Sequence, residues 1–348
     1  MHDGIERNFT SSDLATIQRT TERFKPNTQI AIAKIQNDRM SFYGVMVGGN
    51  KEVTPVSNHT SIFEIGSITK VLTSTLLAQL VIEGTIKLDD TIDRYLGYKL
   101  ANDAQITFEG LSNHTAGLPR LPPSMLWKAI FGSSENPYKD YNADALKHDI
   151  TSRIKLKKTG KSRYSNLGAG LLAHTLGEIT GQSFEIMLKE RIFEPLGMHS
   201  SAVTRERCTG QLVTGLNKKG HPTKGWDFIS LAGAGAVLSS VEDLAKFIQA
   251  NFDTHNKAFQ LQQKQTIKTG KWDSFALGWM IQNFKTTNDR PWHWHNGGTG
   301  GFSSTAVMDL EKRTGVVILS NVSGLSLFKS EEITNMAFNL HKDMQNTD

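Results

Sequence analysis

Two periodicities divide this chain. Near its start, residues 13–24 place apolar side chains at helical spacing, and residues 29–35 and 40–47 read as strands. From Val71-Leu72 through Leu76-Leu77 to Leu80-Val81-Ile82 the spacing is helical, unbroken by Gly or Pro until Gly84. Leu167 to Leu172 opens a second apolar helix, and residues 62–265 read as mostly helical with loops. Alternation then returns at Trp292-His293-Trp294. Residues 303–308 and 315–319 form a predicted hairpin around the polar turn at 309–314, and a last helix covers 330–342. First and last segments are therefore expected to share one antiparallel sheet flanked by terminal helices. The fold class is α/β (α+β), with residues 1–61 and 266–348 forming a discontinuous sheet domain. Residues 62–265 form a mostly helical domain inserted into it, and the active site is expected at their boundary.

Composition changes this picture little. The 348 residues, 38% hydrophobic, suffice for one large or two smaller domains. No apolar run approaches the ~18 residues of a membrane span. A net charge of +5 is spread over short clusters, which reads as a solvated basic surface with an anionic cell wall as a conceivable neighbour. No nucleic-acid motif, internal repeat or long linker is present. The single Cys208 excludes an intrachain disulfide and reads as structural.

Three motifs carry chemistry. Ile65-Gly66-Ser67-Ile68-Thr69-Lys70 sets Ser67 at the start of an apolar helix and Lys70 one turn later on the same face. A serine hydroxyl needs an adjacent base, and an amine at that distance serves if burial keeps it partly neutral. The bland alternative is a chance S-x-x-K with Ser67 as a helix cap. Tyr164-Ser165-Asn166 precedes the second helix, where it can aim a phenol and an amide into one cleft. The phenol would pass protons if nearby cations lower its pKa; the alternative is a polar start to a helix with a packed tyrosine. His295-Asn296-Gly297-Gly298 follows a strand, where glycines let a substrate lie against backbone N–H groups. His295 can supply a proton or polarise a carbonyl; the alternative is a glycine-rich hairpin with a structural histidine.

Together, the order and contexts of S-x-x-K, Y-x-N and H-x-G resemble the serine β-lactamase and penicillin-binding protein superfamily. The likeness is strongest to the class C branch and its D,D-peptidase and family VIII esterase relatives. It extends from about Phe63 to Asn321 and includes Leu111-Ser112-Asn113-His114-Thr115-Ala116-Gly117-Leu118-Pro119. The resemblance implies Ser67 as acylated nucleophile, Lys70 as its proton acceptor and Tyr164 sharing the acid/base work. Asn166 would bind the substrate amide or Lys70, and the N–H groups of Ser67 and Gly298 would form an oxyanion hole. Gly297 would allow close approach, with His295 and Asn296 completing the substrate-binding strand. No metal or organic cofactor is implied.

Class C enzymes usually read K-T-G where this chain has His295-Asn296-Gly297. A lysine there is a permanent cation suited to a carboxylate, whereas histidine is largely neutral at pH 7. The literal Lys268-Thr269-Gly270 is read as a decoy, with no strand expected on either side. The loop from Arg120 through Pro137 has no evident counterpart and is expected to border the cleft. D-alanyl peptide or ester hydrolysis is thus expected ahead of dedicated β-lactamase action. A penicillin-recognising sensor that acylates without turnover is the rival outside the enzymes. A metal hydrolase using His293 and His295 lacks further ligands at suitable spacing. An α/β-hydrolase would need G-x-S-x-G, which is absent, and glycines 297–301 lack the Lys-Ser/Thr of a phosphate loop. The partner is a small molecule or a peptidoglycan peptide, and the expected location is periplasmic or secreted. Met1-His2-Asp3-Gly4 opens without an apolar leader, so a leader is expected to have been removed; a cytoplasmic esterase would look the same.

Overall fold

The computed structural model describes residues 8–125, 136–270, 273–283 and 290–345. Nine strands form one antiparallel sheet. They are β1 (Gln29–Gln36), β2 (Arg39–Val47), β3 (Val53–Pro55), β4 (Ile267–Lys268), β5 (Asp273–Phe275), β6 (Met280–Asn283), β7 (Pro291–Gly298), β8 (Ser303–Asp309) and β9 (Thr314–Ser320). Their order across the sheet is β3-β2-β1-β9-β8-β7-β6-β5-β4. The chain's first and last strands meet in the middle, Ile30 opposite Ser320 and Gln36 opposite Thr314.

Strand alternation explains the layers. Ile30 and Ile32 of β1, with Val316 and Ile318 of β9, join Ile17, Ile333, Met336 and Leu340 in one cluster. Those partners come from the terminal helices α1 (Ser11–Thr21) and α6 (Leu327–Gln345), which cover that face. Ala31, Ala33, Val317 and Leu319 point the other way and join the larger core. With both faces buried, β8 and β9 are buried along their whole length. One polar side chain breaks the pattern: Lys34 is buried and pairs with Asp13 of α1 at 2.7 Å. Asp13 also closes a capping box with Thr10, so this ion pair fixes α1 on the sheet.

The larger core is built around α2 (Thr69–Ile82). Its residues from Thr69 to Ala78 are all buried, the hydroxyls of Thr73, Ser74 and Thr75 each satisfied by a hydrogen bond. Against it pack α3 (Asn166–Thr180) and α5 (Lys257–Gln263), while α4 (Val241–Ala250) lies on β1 and β9. Two short ribbons also occur between 62 and 265: Phe63–Glu64 pairs with Leu238–Ser239, and Gly215–Leu216 with Pro222–Thr223. One expectation is corrected here. Lys268-Thr269-Gly270 does have strands on both sides, β4 ending at Lys268 and β5 starting at Asp273. These edge strands of two and three residues are too short for alternation to register in sequence. Among the described residues, no helix is long and apolar enough to cross a membrane.

Candidate active site

The chain enters α2 through a single 3₁₀ turn, Gly66–Ile68, that carries Ser67. No side chain caps this turn or α2, so Ser67 is not there as a cap. Gly66 has φ +51°, and a Cβ on it would sit 2.6 Å from Gly298 N. The turn therefore lies directly against the end of β7. A Cβ on Gly297 would run into Ile65 O and stand 2.9 Å from Ser67 N. Ser304 Oγ of the neighbouring strand donates to Ile65 O at 2.8 Å and holds the same turn. Strand β7 and Ser67 are thus locked in register by absent side chains and one hydroxyl.

Lys70, one turn on, places Nζ 2.9 Å from Ser67 Oγ and donates to Ala234 O at 2.7 Å. It is 2% exposed. Burial, with the nearby Arg120 guanidinium adding to it, holds its ammonium well below the ordinary lysine value. The Lys70 amine also lies 4.8 Å from the centre of the Tyr164 ring. Tyr164 is brought there because Ser165 caps α3, accepting from Gly168 N at 2.8 Å.

The condition placed on Tyr164, that nearby cations bring its pKa down, is not met on balance. Burial raises it, and a hydrogen bond with Ser67 and the charge of Arg120 only partly oppose that. A desolvated phenol with weak compensation keeps its proton. Tyr164 is accordingly a donor, and the amine of Lys70 is the basic group.

The third motif divides between the two faces of β7. His295 is buried in the site, 6.2 Å ring to ring from Tyr164. Its Nδ1 is 2.6 Å from Asn296 O. A carbonyl can only accept, so Nδ1 carries the proton and Nε2 is left as an acceptor. Burial, then the charge of Lys70, push its pKa down to about 3 against that hydrogen bond. Asn296 corrects an expectation. Its side chain lines a groove with Trp292, Trp294 and Phe338 on the α6 side of the sheet. Strand alternation turns it away from Ser67, and only its carbonyl serves the site. His293, on the His295 face, meets Gln263 O through Nε2 at 2.9 Å and is occupied there.

Asn166 does not contact Lys70. Its Nδ2 donates to Tyr138 Oη at 2.9 Å, while its buried Oδ1 has no partner among the described residues. Tyr138 went unnoticed in the sequence, where it follows Pro137 with no periodic signal. It stacks on Phe228 at 4.4 Å and tilts against Trp226 at 5.4 Å, forming an aromatic wall beside Asn166. His114 also escaped notice as a site residue. It packs 4.6 Å from the Tyr164 ring, and burial and the surrounding cations keep it neutral. Of the loop expected to border the cleft, Arg120 does so, its guanidinium carbon 5.3 Å from the Tyr164 ring centre. Residues 126–135 of that loop lie outside the described residues.

A family model described as beta-lactamase matches residues 27–338. The D-alanyl-D-alanine-carboxypeptidase/endopeptidase AmpH of Escherichia coli K12 is 28% identical over 330 residues, covering 87% of this chain and 82% of its own. A beta-lactamase of Pseudomonas fluorescens is 25% identical, covering 84% and 88%. Among solved structures, a beta-lactamase/D-alanine carboxypeptidase from Pseudomonas syringae superposes with a TM-score of 0.77 at 21% identity, over 97% of this chain and 98% of the other. At that identity it speaks for the fold alone.

Proposed function

This chain belongs to the beta-lactamase family, within the serine β-lactamase and penicillin-binding protein superfamily of serine hydrolases, and from that premise we propose that it hydrolyses D-alanyl peptides or small esters through an acyl-enzyme on Ser67. The single observation that carries this reading is a buried Lys70 amine, 2.9 Å from the Ser67 hydroxyl and disfavoured as an ammonium by its surroundings. The site lies at the boundary between a sheet domain (1–61 and 266–348) and a helical domain (62–265).

Lys70 takes the Ser67 proton as Oγ attacks the carbonyl carbon. The oxyanion is received by the N–H groups of Ser67 and Gly298. Tyr164, kept protonated by the desolvation of its half-buried ring, gives its proton to the departing amine or alkoxide and regains one from Lys70. Water then repeats the cycle on the ester, with the same groups in reverse. Asn166 and the carbonyl edge of β7 hold the substrate amide.

The neutral His295 offers a substrate carboxylate no charge at the third motif, which favours uncharged esters over β-lactams; a D-alanyl peptide, whose leaving amine carries a carboxylate, needs a cation elsewhere in the site. The name of the Escherichia coli relative supports the same class. Such peptides lie outside the cytoplasm, so we place the protein in the periplasm or among secreted proteins.

The test is intact mass over time after mixing the protein, Ser67→Ala and Tyr164→Phe with a penicillin, alongside p-nitrophenyl ester and chromogenic cephalosporin turnover. A Ser67-dependent adduct with slow cephalosporin turnover, formed far more slowly by Tyr164→Phe, is expected. An adduct or ester turnover retained in Ser67→Ala would sink the mechanism. Rapid Ser67-dependent cephalosporin turnover would instead mean a β-lactamase.

A further inference from the structure

The site holds an uncommitted charge. Arg120 follows Pro119 and is anchored through its backbone: its carbonyl accepts from Asn166 N at 2.9 Å and Leu167 N at 3.3 Å, the first N–H groups of α3. Those donors have no partner within the helix, so the bonds tie Arg120 to the same helix start that presents Asn166. The side chain is exposed and lies over the Tyr164 ring. No carboxylate pairs with it among the described residues, although most other arginines of the chain have such a partner.

Among the described residues, the other basic side chains around Tyr164 are Lys70, His114 and His295, and all three are buried. Lys70 is taken up by Ser67 and Ala234. His114 Nδ1 accepts from Ser165 N, and His295 Nδ1 is turned to its own strand. Among the described residues, an anion arriving beside the Tyr164 hydroxyl therefore meets one exposed, permanent cation, Arg120, whose planar fork suits a carboxylate.

We propose that Arg120 is the specificity residue of this site, receiving a carboxylate carried on the leaving group of the substrate. This rests on the acyl-transfer reading, in which the leaving group departs toward Tyr164, the ring that Arg120 overlies. It replaces the third-motif residue as the point of anion recognition. It also gives Arg120 a second effect: its charge disfavours an ammonium on Lys70, and a bound carboxylate cancels part of that charge.

The experiment compares phenyl phenylacetate with its 3-carboxyphenyl analogue, identical in acyl group and differing by one carboxylate on the leaving group. The wild-type chain is expected to prefer the anionic ester in kcat/KM by about tenfold or more. Arg120→Gln is expected to lose that preference through a higher KM for the anionic ester alone, and Arg120→Lys to keep part of it. The acid limb of kcat/KM for the neutral ester should move to higher pH in Arg120→Gln, a shift that a structural role would not produce. An unchanged preference, or an equal loss on both esters without that shift, overturns the proposal. Calorimetry of 3-hydroxybenzoate with Ser67→Ala and Ser67→Ala/Arg120→Gln decides the point without any chemistry. Weaker binding to the double variant supports Arg120 even if Ser67-dependent turnover is never seen; equal binding overturns it.

Discussion

Replacing Lys70 by methionine should make the protein more stable and nearly inactive. An ordinary lysine, with pKa 10.5, is neutral about once in 3,000 molecules at pH 7. Keeping it neutral there costs about 5 kcal/mol, which is the ceiling on what burial of Lys70 can take from the fold. Methionine has similar length, is apolar and suits a site that is 2% exposed. It removes this cost but leaves Ala234 O without its donor, returning about 1–3 kcal/mol. The net gain at neutral pH is therefore up to about 2–4 kcal/mol.

The sign of its pH dependence follows from linkage. A base whose folded pKa is lowered binds fewer protons folded than unfolded between the two values, so stability rises with pH across that window. The penalty is complete below the folded pKa and fades as pH approaches 10.5. The advantage of Lys70→Met should therefore shrink between neutral and strongly alkaline pH. Urea unfolding of both proteins at pH 7 and 9.5 measures it. Acylation by a fluorescent penicillin should fall by about 10²–10⁴, the worth of a general base. A variant less stable than the parent at pH 7, or an advantage that does not narrow with pH, would refute the claim that Lys70 is held neutral by its burial.

Three further outcomes are expected. Gly297→Ala pushes a methyl toward Ile65 O and the Ser67 N–H, so acylation should slow about 100-fold; a rate within threefold of the parent would mean that β7 and Ser67 are not tightly coupled. Lys34→Met leaves the buried Asp13 carboxylate unpaired and should cost about 3–5 kcal/mol in urea unfolding, whereas a loss below about 1 kcal/mol would show that the pair does not hold α1. His295→Lys introduces a cation next to Tyr164 and should raise kcat/KM for carboxylate-bearing β-lactams relative to a neutral ester; an unchanged ratio would argue against His295 as a determinant of the subclass.

What could be read from the chain was whatever depends on neighbours along it. Ser67 and Lys70 share a face because a helix repeats every 3.6 residues, and the apolar run after them announced that helix without any tertiary information. The hairpin of β8 and β9 was legible because both strands are buried on both faces and bounded by a polar turn. The sheet joining both ends of the chain followed from strands that could find partners only in each other. Asn296 shows the limit: its place in a motif suggested a ligand-facing side chain, and strand alternation sends it to the opposite layer.

Tertiary structure decided the electrostatics and the cleft walls. A pKa depends on how much water and charge surround a group, and those come from segments far apart in sequence. Burial therefore keeps Tyr164 protonated where sequence reasoning looked for cations to ionise it, and it strips His295 of charge. Tyr138, Phe228 and Trp226 became one wall only when the loop after Pro137 met the segment after Gly225. Arg120 carried no periodic signal at all. Only the meeting of its loop with the start of α3 set its charge over Tyr164, because long-range packing, unlike helical or strand spacing, leaves no period in the chain.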